Sequence, residues 1–347
     1  MIDLLVAGAG PAGLATAMYA AQAGFEVIVL DPRSGPIDKA CGEGLMPGAV
    51  EALSTLGVRL HGMPFPGIRY SDSHRCATAF FRAGSGLGVR RTALQQAMTH
   101  RALELGVRFE SAAVGHISQD GDSVTAGGHR SRYLAAADGL HSPISRALGL
   151  RSAAVPAGGR IRGWSPPLRW GLRQHFPLRP WTRLVEVHWA RHSEAYVTPI
   201  GPDQIGVAVI SSLRISLSQQ LRAFPRLMER LGNADTSGAV RGAGPLRQRV
   251  PTRVAGRVLL VGDAAGYVDA LTGEGIAVSL ACARSLVTAL QRGEPQAYEQ
   301  LWRRDTRRYR WLTQTLLAAR RIAEPAIVPA AATFPDLFSL AVSQLAR

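Results

Sequence analysis

The feature that most constrains this chain is a glycine turn near its start, Gly8-Ala9-Gly10-Pro11-Ala12-Gly13. It joins an apolar run of strand length, Ile2-Asp3-Leu4-Leu5-Val6-Ala7, to a stretch that reads as a buried helix from Leu14 to Ala23, closed by Gly24. A second apolar run, Phe25 to Leu30, ends on Asp31, 18 residues after Gly13. A GxGxxG turn framed by strand, helix and a following acid is the fingerprint of a dinucleotide site beside a parallel sheet. Gly8 permits the tight turn, Gly10 lets the backbone approach a pyrophosphate, and Gly13 lets helix and strand pack. Pro11 and Ala12 open the helix, whose unpaired amides and partial positive charge favour an anion. Asp31 is expected to accept hydrogen bonds from an adenosine ribose, with Arg33 beside it in the site.

The fingerprint alone leaves the dinucleotide open. Two later segments narrow it: Tyr133-Leu134-Ala135-Ala136-Ala137 runs into Asp138-Gly139, and Arg257-Val258-Leu259-Leu260-Val261 runs into Gly262-Asp263. With these three marks in this order, the chain resembles the flavin-dependent aromatic hydroxylases of the para-hydroxybenzoate hydroxylase type and their relatives, the geranylgeranyl reductases and flavin halogenases. The resemblance spans residues 1 to roughly 290 and implies FAD as cofactor. It implies that Asp263 holds the ribityl chain, that Asp138 serves flavin and nicotinamide binding, and that Arg91, in Arg91-Thr92-Ala93-Leu94, contacts the cofactor. The family spacing DGxxSxxR is off by one here, since the arginine after Ser142 is Arg146.

After Gly262-Asp263 the family places a loop that opens a helix against the flavin, here Asp269 to Ala277. A helix N-terminus stabilises the negative charge of reduced flavin. Thr272 is expected as N-cap, and Gly273, Gly275 and Ile276 as the close backbone approach. Asp269 stands where many relatives carry Pro, which leaves open a carboxylate near the reaction or one facing solvent. Lys39-Ala40-Cys41-Gly42-Glu43-Gly44-Leu45 is similar to the Cys-Gly segment of geranylgeranyl reductases, and places Gly44 and Leu45 near the flavin ring with Cys41 as a pocket candidate. Gly84 to Gly88 has no strand–helix frame and reads as a loop. A single fingerprint means no separate nucleotide domain, so NAD(P)H docks transiently as reductant or a reductase partner supplies the electrons.

Between residues 160 and 215 short strands alternate and aromatics cluster: Trp164, Trp170, Phe176, Trp181, Trp189, Tyr196. Leu184 to Trp189 reads as a strand with Glu186 and His188 on one face, and Ala195–Gly201 with Gln204–Ile210 as a hairpin. The family uses this region as the roof of the pocket, with small residues Gly206 and Ala208 leaving room for a ligand. Candidates for the catalytic group are Glu186, His188, Tyr196, His175 and Cys41. The halogenase motif Trp-x-Trp-x-Ile-Pro is missing, and Lys39 is the only lysine, which argues against halogenation.

The expected fold is α/β: a Rossmann-like FAD-binding domain (1–70, 88–158 and 250–295) interleaved with an antiparallel β-sheet substrate domain (71–87 and 159–249), then C-terminal helices (296–347). Charge bears on partners. The chain carries 40 Lys+Arg against 25 Asp+Glu, a net +15 that invites a nucleic-acid reading. Since all but Lys39 are arginine, the excess is most simply a GC-rich codon bias, and no nucleic-acid partner is expected. The basic tail (Arg303, Arg304, Arg307, Arg308, Arg310, Arg320, Arg321, with Trp302, Tyr309 and Trp311) is expected to be a solvated helix face or a peripheral membrane contact. Three scattered cysteines without CxxC give neither a metal site nor a disulfide framework. No leader is read at Met1 and no apolar run reaches the roughly 20 residues of a spanning helix, so a cytoplasmic location, with membrane association at most peripheral, is expected. The activity implied is an FAD- and NAD(P)H-dependent monooxygenase acting through a flavin C4a-hydroperoxide on an electron-rich aromatic or olefinic, lipophilic small molecule. The alternative is a reductase of isoprenoid double bonds.

Overall fold

The protein is described from a computed structural model covering residues 1–82, 84–150, 168–323 and 326–345. Trp164 and the domain boundary near residue 158 lie outside the described residues. The first strand, Ile2–Ala7, sits at the centre of a parallel sheet. It pairs with Val27–Leu30 on one side and His129–Ala136 on the other, and Val258–Leu260 and Arg108–Glu110 extend the sheet outward. Leu4, Leu5, Val6 and Leu134 are wholly inaccessible to water. Strands covered on both faces need such unbroken apolar runs. Helices Pro11–Gln22 and Gly275–Gln291 pack on this sheet and on each other.

The second sheet has seven strands in the order Ser237–Ala243, Trp170–Phe176, Gln204–Ser211, Ser193–Gly201, Val185–Ala190, Gly67–Ser71, Cys76–Phe80. The expected hairpin is present, with Tyr196 opposite Ala208 and Thr198 opposite Gly206. The sheet is not wholly antiparallel: Val185–Ala190 runs parallel to Gly67–Ser71. A small third sheet corrects the reading of Gly84–Gly88 as a loop. Gly86–Gly88 is a strand between Gly44–Leu45 and Met63–Phe65. Its glycines are required by contact, because a Cβ on Gly86 would overlap the Phe65 ring and one on Gly88 the carbonyl of Pro199. The chain closes with the long helix Ala297–Ala323 and two short ones, Ile327–Thr333 and Pro335–Leu345. The last two pack on Cys76–Phe80 at the edge of the second sheet.

Candidate functional site

The cofactor cradle is built by backbone contact. Gly8 has φ +109°, and a Cβ there would overlap the carbonyl oxygen of Ala137; a Cβ on Gly13 would overlap the carbonyl of Gly8 itself. These glycines hold strand, helix and the Asp138 loop at one point. Gly10 is the N-cap of the helix, Pro11 is its first residue, and around Gly10 a Cβ would meet open space. The amides of the first turn have no acceptor within the helix and face that space. Gly262 (φ +64°) lies against this turn, since its Cβ would overlap the methyl of Ala12.

Asp31 is 5% exposed and already saturated. One oxygen accepts from the amide of Ala9 (2.8 Å) and from Arg33 Nη2 (2.7 Å), the other from the amide of Arg33 (3.0 Å) and its Nε (2.8 Å). A carboxylate has about four acceptor positions. A ribose hydroxyl therefore binds by displacing the half-exposed Arg33 guanidinium. Burial raises the Asp31 carboxyl, and these hydrogen bonds more than reverse it, leaving it below the usual range.

Other polar groups stand unmatched. Arg91, the first residue of helix Arg91–Glu104, is 6% exposed, and its Nη1 has no partner. Asp138 uses one oxygen to accept from the amide of Ile144 (3.0 Å) and leaves Oδ1 buried without a partner. Asp263 has no side-chain hydrogen bond among the described residues, and burial raises its carboxyl, with Lys39 and Arg91 opposing. Native proteins leave few such groups unpaired. Open space at Gly10, an orphaned guanidinium nitrogen and orphaned carboxylate oxygens fit the diphosphate and hydroxyl chain of FAD. Arg146, by contrast, is exposed and among the described residues reaches only the carbonyl of His141 (3.5 Å).

The Cys41-Gly42-Glu43 loop is clamped to the roof. Directly opposed residues of an antiparallel sheet share a face, so Arg173, His175, Tyr196, Thr198, Gly206 and Ala208 look toward this loop. Glu43 adopts φ 58°, unusual for a residue with a side chain, and is 3% exposed. Its carboxylate accepts from the amide of Arg91 (2.9 Å) and meets His175 Nε2 at 2.7 Å. Arg173 Nη1 lies 3.2 Å from His175 Nδ1. A guanidinium only donates, so Nδ1 accepts and Nε2 carries the proton given to Glu43. Arg173 in turn pairs with Asp38. The room expected beside Gly206 is thus filled by the protein, since a Cβ there would stand 2.9 Å from Glu43 Oε2. Thr198 Oγ1 donates to the carbonyl of Gly42 (2.7 Å). Cys41 Sγ accepts from the amide of Glu43 (3.4 Å), and burial raises its thiol so that it keeps its proton.

The loop before helix Gly275–Gln291 is held by charge. Asp269 settles its own question: it is 4% exposed, pairs with Arg169 at 3.0 Å, and burial lifts its carboxyl to about 6. Arg169 also pairs with Glu194, and Glu194 with Arg320 of the long helix (2.5 Å). Tyr196 donates to the carbonyl of Leu271 (2.9 Å) and Tyr309 to that of Asp269 (2.8 Å). Thr272 is not the N-cap. Glu274 holds that position, while Thr272 Oγ1 meets Thr313 Oγ1 at 3.3 Å. Glu274 is 1% exposed, and burial lifts it to about 7 despite Arg308 at 3.2 Å. Gly273 takes φ +69°, and Gly275 and Ile276 open the helix beside the ring of Tyr267.

Glu186 and His188 do share a face, but it is the opposite one: they stand across from Val197 and Ala195, which pack on the outer helices. Glu186 is a buried hub for His188, Trp181, Arg69 and Arg230. Burial raises it, and the His188 and Trp181 bonds with the charge of Arg230 overcome this and hold it at about 2. The roof thus brings His175 and Tyr196 toward Cys41, and keeps Glu186 and His188 away. Lys39, Glu43, Arg169, Glu194 and Asp269 are the groups that motif reading passed over or left undecided. The one local signal was the glutamate inside the Cys41-Gly42-Glu43 segment itself.

Comparison with known proteins agrees with this geometry. Residues 1–161 match the model of the "FAD binding domain" family. The chain is 31% identical, over 81% of its length and 74% of the relative's, to a menaquinone reductase of Mycobacterium tuberculosis. It is 26% identical to digeranylgeranylglycerophospholipid reductase 1 of Methanopyrus kandleri, over 93% of this chain and 90% of that one. Among solved structures it is similar to a flavoprotein/dehydrogenase of Cytophaga hutchinsonii, with TM-score 0.86, 19% identity, and coverage of 99% and 92%.

Proposed function

From the premise that the chain belongs to the FAD-dependent oxidoreductases of the geranylgeranyl reductase and para-hydroxybenzoate hydroxylase superfamily, we propose that it saturates a carbon–carbon double bond in the isoprenoid chain of a lipid. The observation that carries this reading is the pair of sequence relatives. Menaquinone and a digeranylgeranyl phospholipid have different head groups, and an isoprenoid chain is what they share. The hydroxylase resemblance put oxygen transfer first. Reduction takes precedence because the relatives similar along most of the chain are named reductases.

When bound, FAD supplies two electrons as a hydride. The chain's own share is positional and protonic. Glu43, gripped by His175 and the Arg91 amide, fixes the loop that carries Cys41. The half-buried Cys41 thiol, held protonated by partial desolvation, is the proton donor for the second alkene carbon. Asp269, Tyr196 and Tyr309 hold the loop ahead of helix Gly275–Gln291, whose N-terminus favours negative charge. NAD(P)H or a reductase partner is the electron source.

Access for a lipid is supported at the C-terminus. Arg303, Arg304 and Arg307 are exposed on the long helix near Trp311, itself 63% exposed, and Phe334 and Leu337 beyond it are 57% and 64% exposed. Arginines beside exposed aromatics suit the surface of an anionic bilayer. No helix among the described residues is long and apolar enough to cross one.

The test is single-turnover product analysis. Reduced protein is mixed without oxygen with menaquinone or geranylgeranyl lipid. The expected product gains two hydrogens, and Cys41→Ala slows its formation about 100-fold while FAD stays bound. A product that gains one oxygen atom, formed only in air, returns the reading to the monooxygenase.

A further inference from the structure

We propose that Lys39 is the phosphate clamp of the cofactor site, its ammonium closing with Arg91 on the diphosphate of bound FAD. The inference rests on FAD binding, and adds a residue outside the fingerprint, the Asp138-Gly139 motif and the Gly262-Asp263 motif.

Placement is the first ground. Lys39 Nζ lies 3.4 Å from the point where a Cβ on Gly139 would stand, over the loop that follows strand His129–Ala136. That loop touches the fingerprint turn through Ala137 and Gly8. Lys39 Nζ therefore stands over the loop that adjoins the fingerprint turn. At the carboxyl ends of parallel strands, this is where open α/β sheets bind ligands.

The second ground is how the residue is held. Its backbone is fixed: the carbonyl of Lys39 accepts from Arg173 (3.4 Å), and the neighbouring Asp38 pairs with Arg173 and with Arg241 (2.9 Å). Its head is not, since Nζ has no hydrogen bond or ion pair among the described residues. Arg91, 6% exposed with Nη1 unpartnered, is an independent buried donor at the same place. Lys39 itself is exposed, so the demand for an anion comes from the buried Arg91 Nη1, with the Lys39 ammonium close enough to act on it electrostatically.

Charge is the third. Burial lowers the Lys39 ammonium below its ordinary range, and Arg33 and then Arg91 push the same way against Asp263 and Asp31. Arg33 is held by Asp31, so the positive charge that a diphosphate would meet directly is that of Lys39 and Arg91. A compact ammonium on a flexible stem binds phosphate as a point charge, where guanidinium needs a planar fork. The chain uses arginine at every other basic position, so a lysine here is a specific choice of head group.

Being the single lysine makes it addressable. Reductive methylation with ¹³C-formaldehyde gives one side-chain NMR signal besides the N-terminus. Apoprotein is then titrated with FAD, ADP or riboflavin. FAD and ADP are expected to move the Lys39 signal and raise its pKa, and riboflavin, which lacks phosphate, to leave it in place. In unmodified protein Lys39→Met is expected to weaken FAD binding about 10- to 100-fold, with Lys39→Arg closer to wild type. A Lys39 signal that stays still while flavin fluorescence shows FAD bound overturns the assignment. So does a signal that moves with NADPH alone. Apoprotein that never takes up FAD overturns the flavin reading itself, and this one with it.

Discussion

The two large sheets of this protein are held together in opposite ways. The parallel sheet is fixed by backbone contact and apolar packing: Gly8, Gly13 and Gly262 sit where a methyl would collide, and its strands are mostly apolar inside. The roof sheet is fixed by buried polar and charged pairs: Arg173 on Asp38, His175 on Glu43, Arg169 on Asp269 and Glu194, Glu194 on Arg320. A packed backbone has one arrangement. A buried ion network holds only while every member is paired, and its net worth is set by desolvation as much as by attraction. One sheet is built to stay, the other to be tuned.

That contrast can be broken by experiment. Gly13→Ala puts a methyl into the carbonyl of Gly8, backbone that cannot swing away. It should cost upward of about 3 kcal/mol and yield protein unable to retain FAD, measured by denaturant unfolding and flavin absorbance. If the variant folds and binds FAD normally, the parallel sheet is not held as described. Glu194→Ala leaves Arg320 without its carboxylate and Arg169 with Asp269 alone, and is expected to cost about 3 kcal/mol in unfolding free energy. A loss below about 1 kcal/mol would show that the roof does not depend on its charges.

The third is a pH effect. Glu274 titrates near about 7 in the fold against an ordinary 4.5. The folded state then binds more protons than the unfolded one between those values, so stability falls as pH rises through that window. Glu274→Gln keeps an acceptor for Arg308 and removes the titration. Its unfolding free energy should be flatter from pH 4.5 to 7, by about 3 kcal/mol at most. Identical slopes in variant and wild type would remove Glu274 from the tuned part of the molecule.

The same contrast decides what could be read from sequence. The Ala9 amide meets the Asp31 carboxylate and Ala137 meets Gly8 through backbone, and the glycine spacing with its following acid announces such contacts. The roof's strands and hairpin were legible by alternation, even to Glu186 and His188 sharing a face. Which face was not, because that depends on Val197 and Ala195 packing outward across the sheet. Asp269 could not be judged alone, since Arg169 lies 100 residues before it and Glu194, the other partner of Arg169, lies 25 residues from Arg169. Thr272 looked like a cap by residue type, yet it turns to Thr313 in a helix 41 residues later. Long-range polar pairs have no periodicity, so no local pattern carries them.

Gly206 has a consequence for how this sequence is able to drift. The carboxylate of Glu43 occupies the space that a side chain on Gly206 would need, and His175 sits opposite in register to grip it. Three positions far apart in the chain therefore form one inherited unit. Changing Gly206 to alanine pushes the Glu43 carboxylate aside, and a shorter residue at 43 would leave His175 without its acceptor. Descendants of this protein should keep all three or exchange them together, and a lone change among them marks a lineage in which the loop carrying Cys41 has taken another shape.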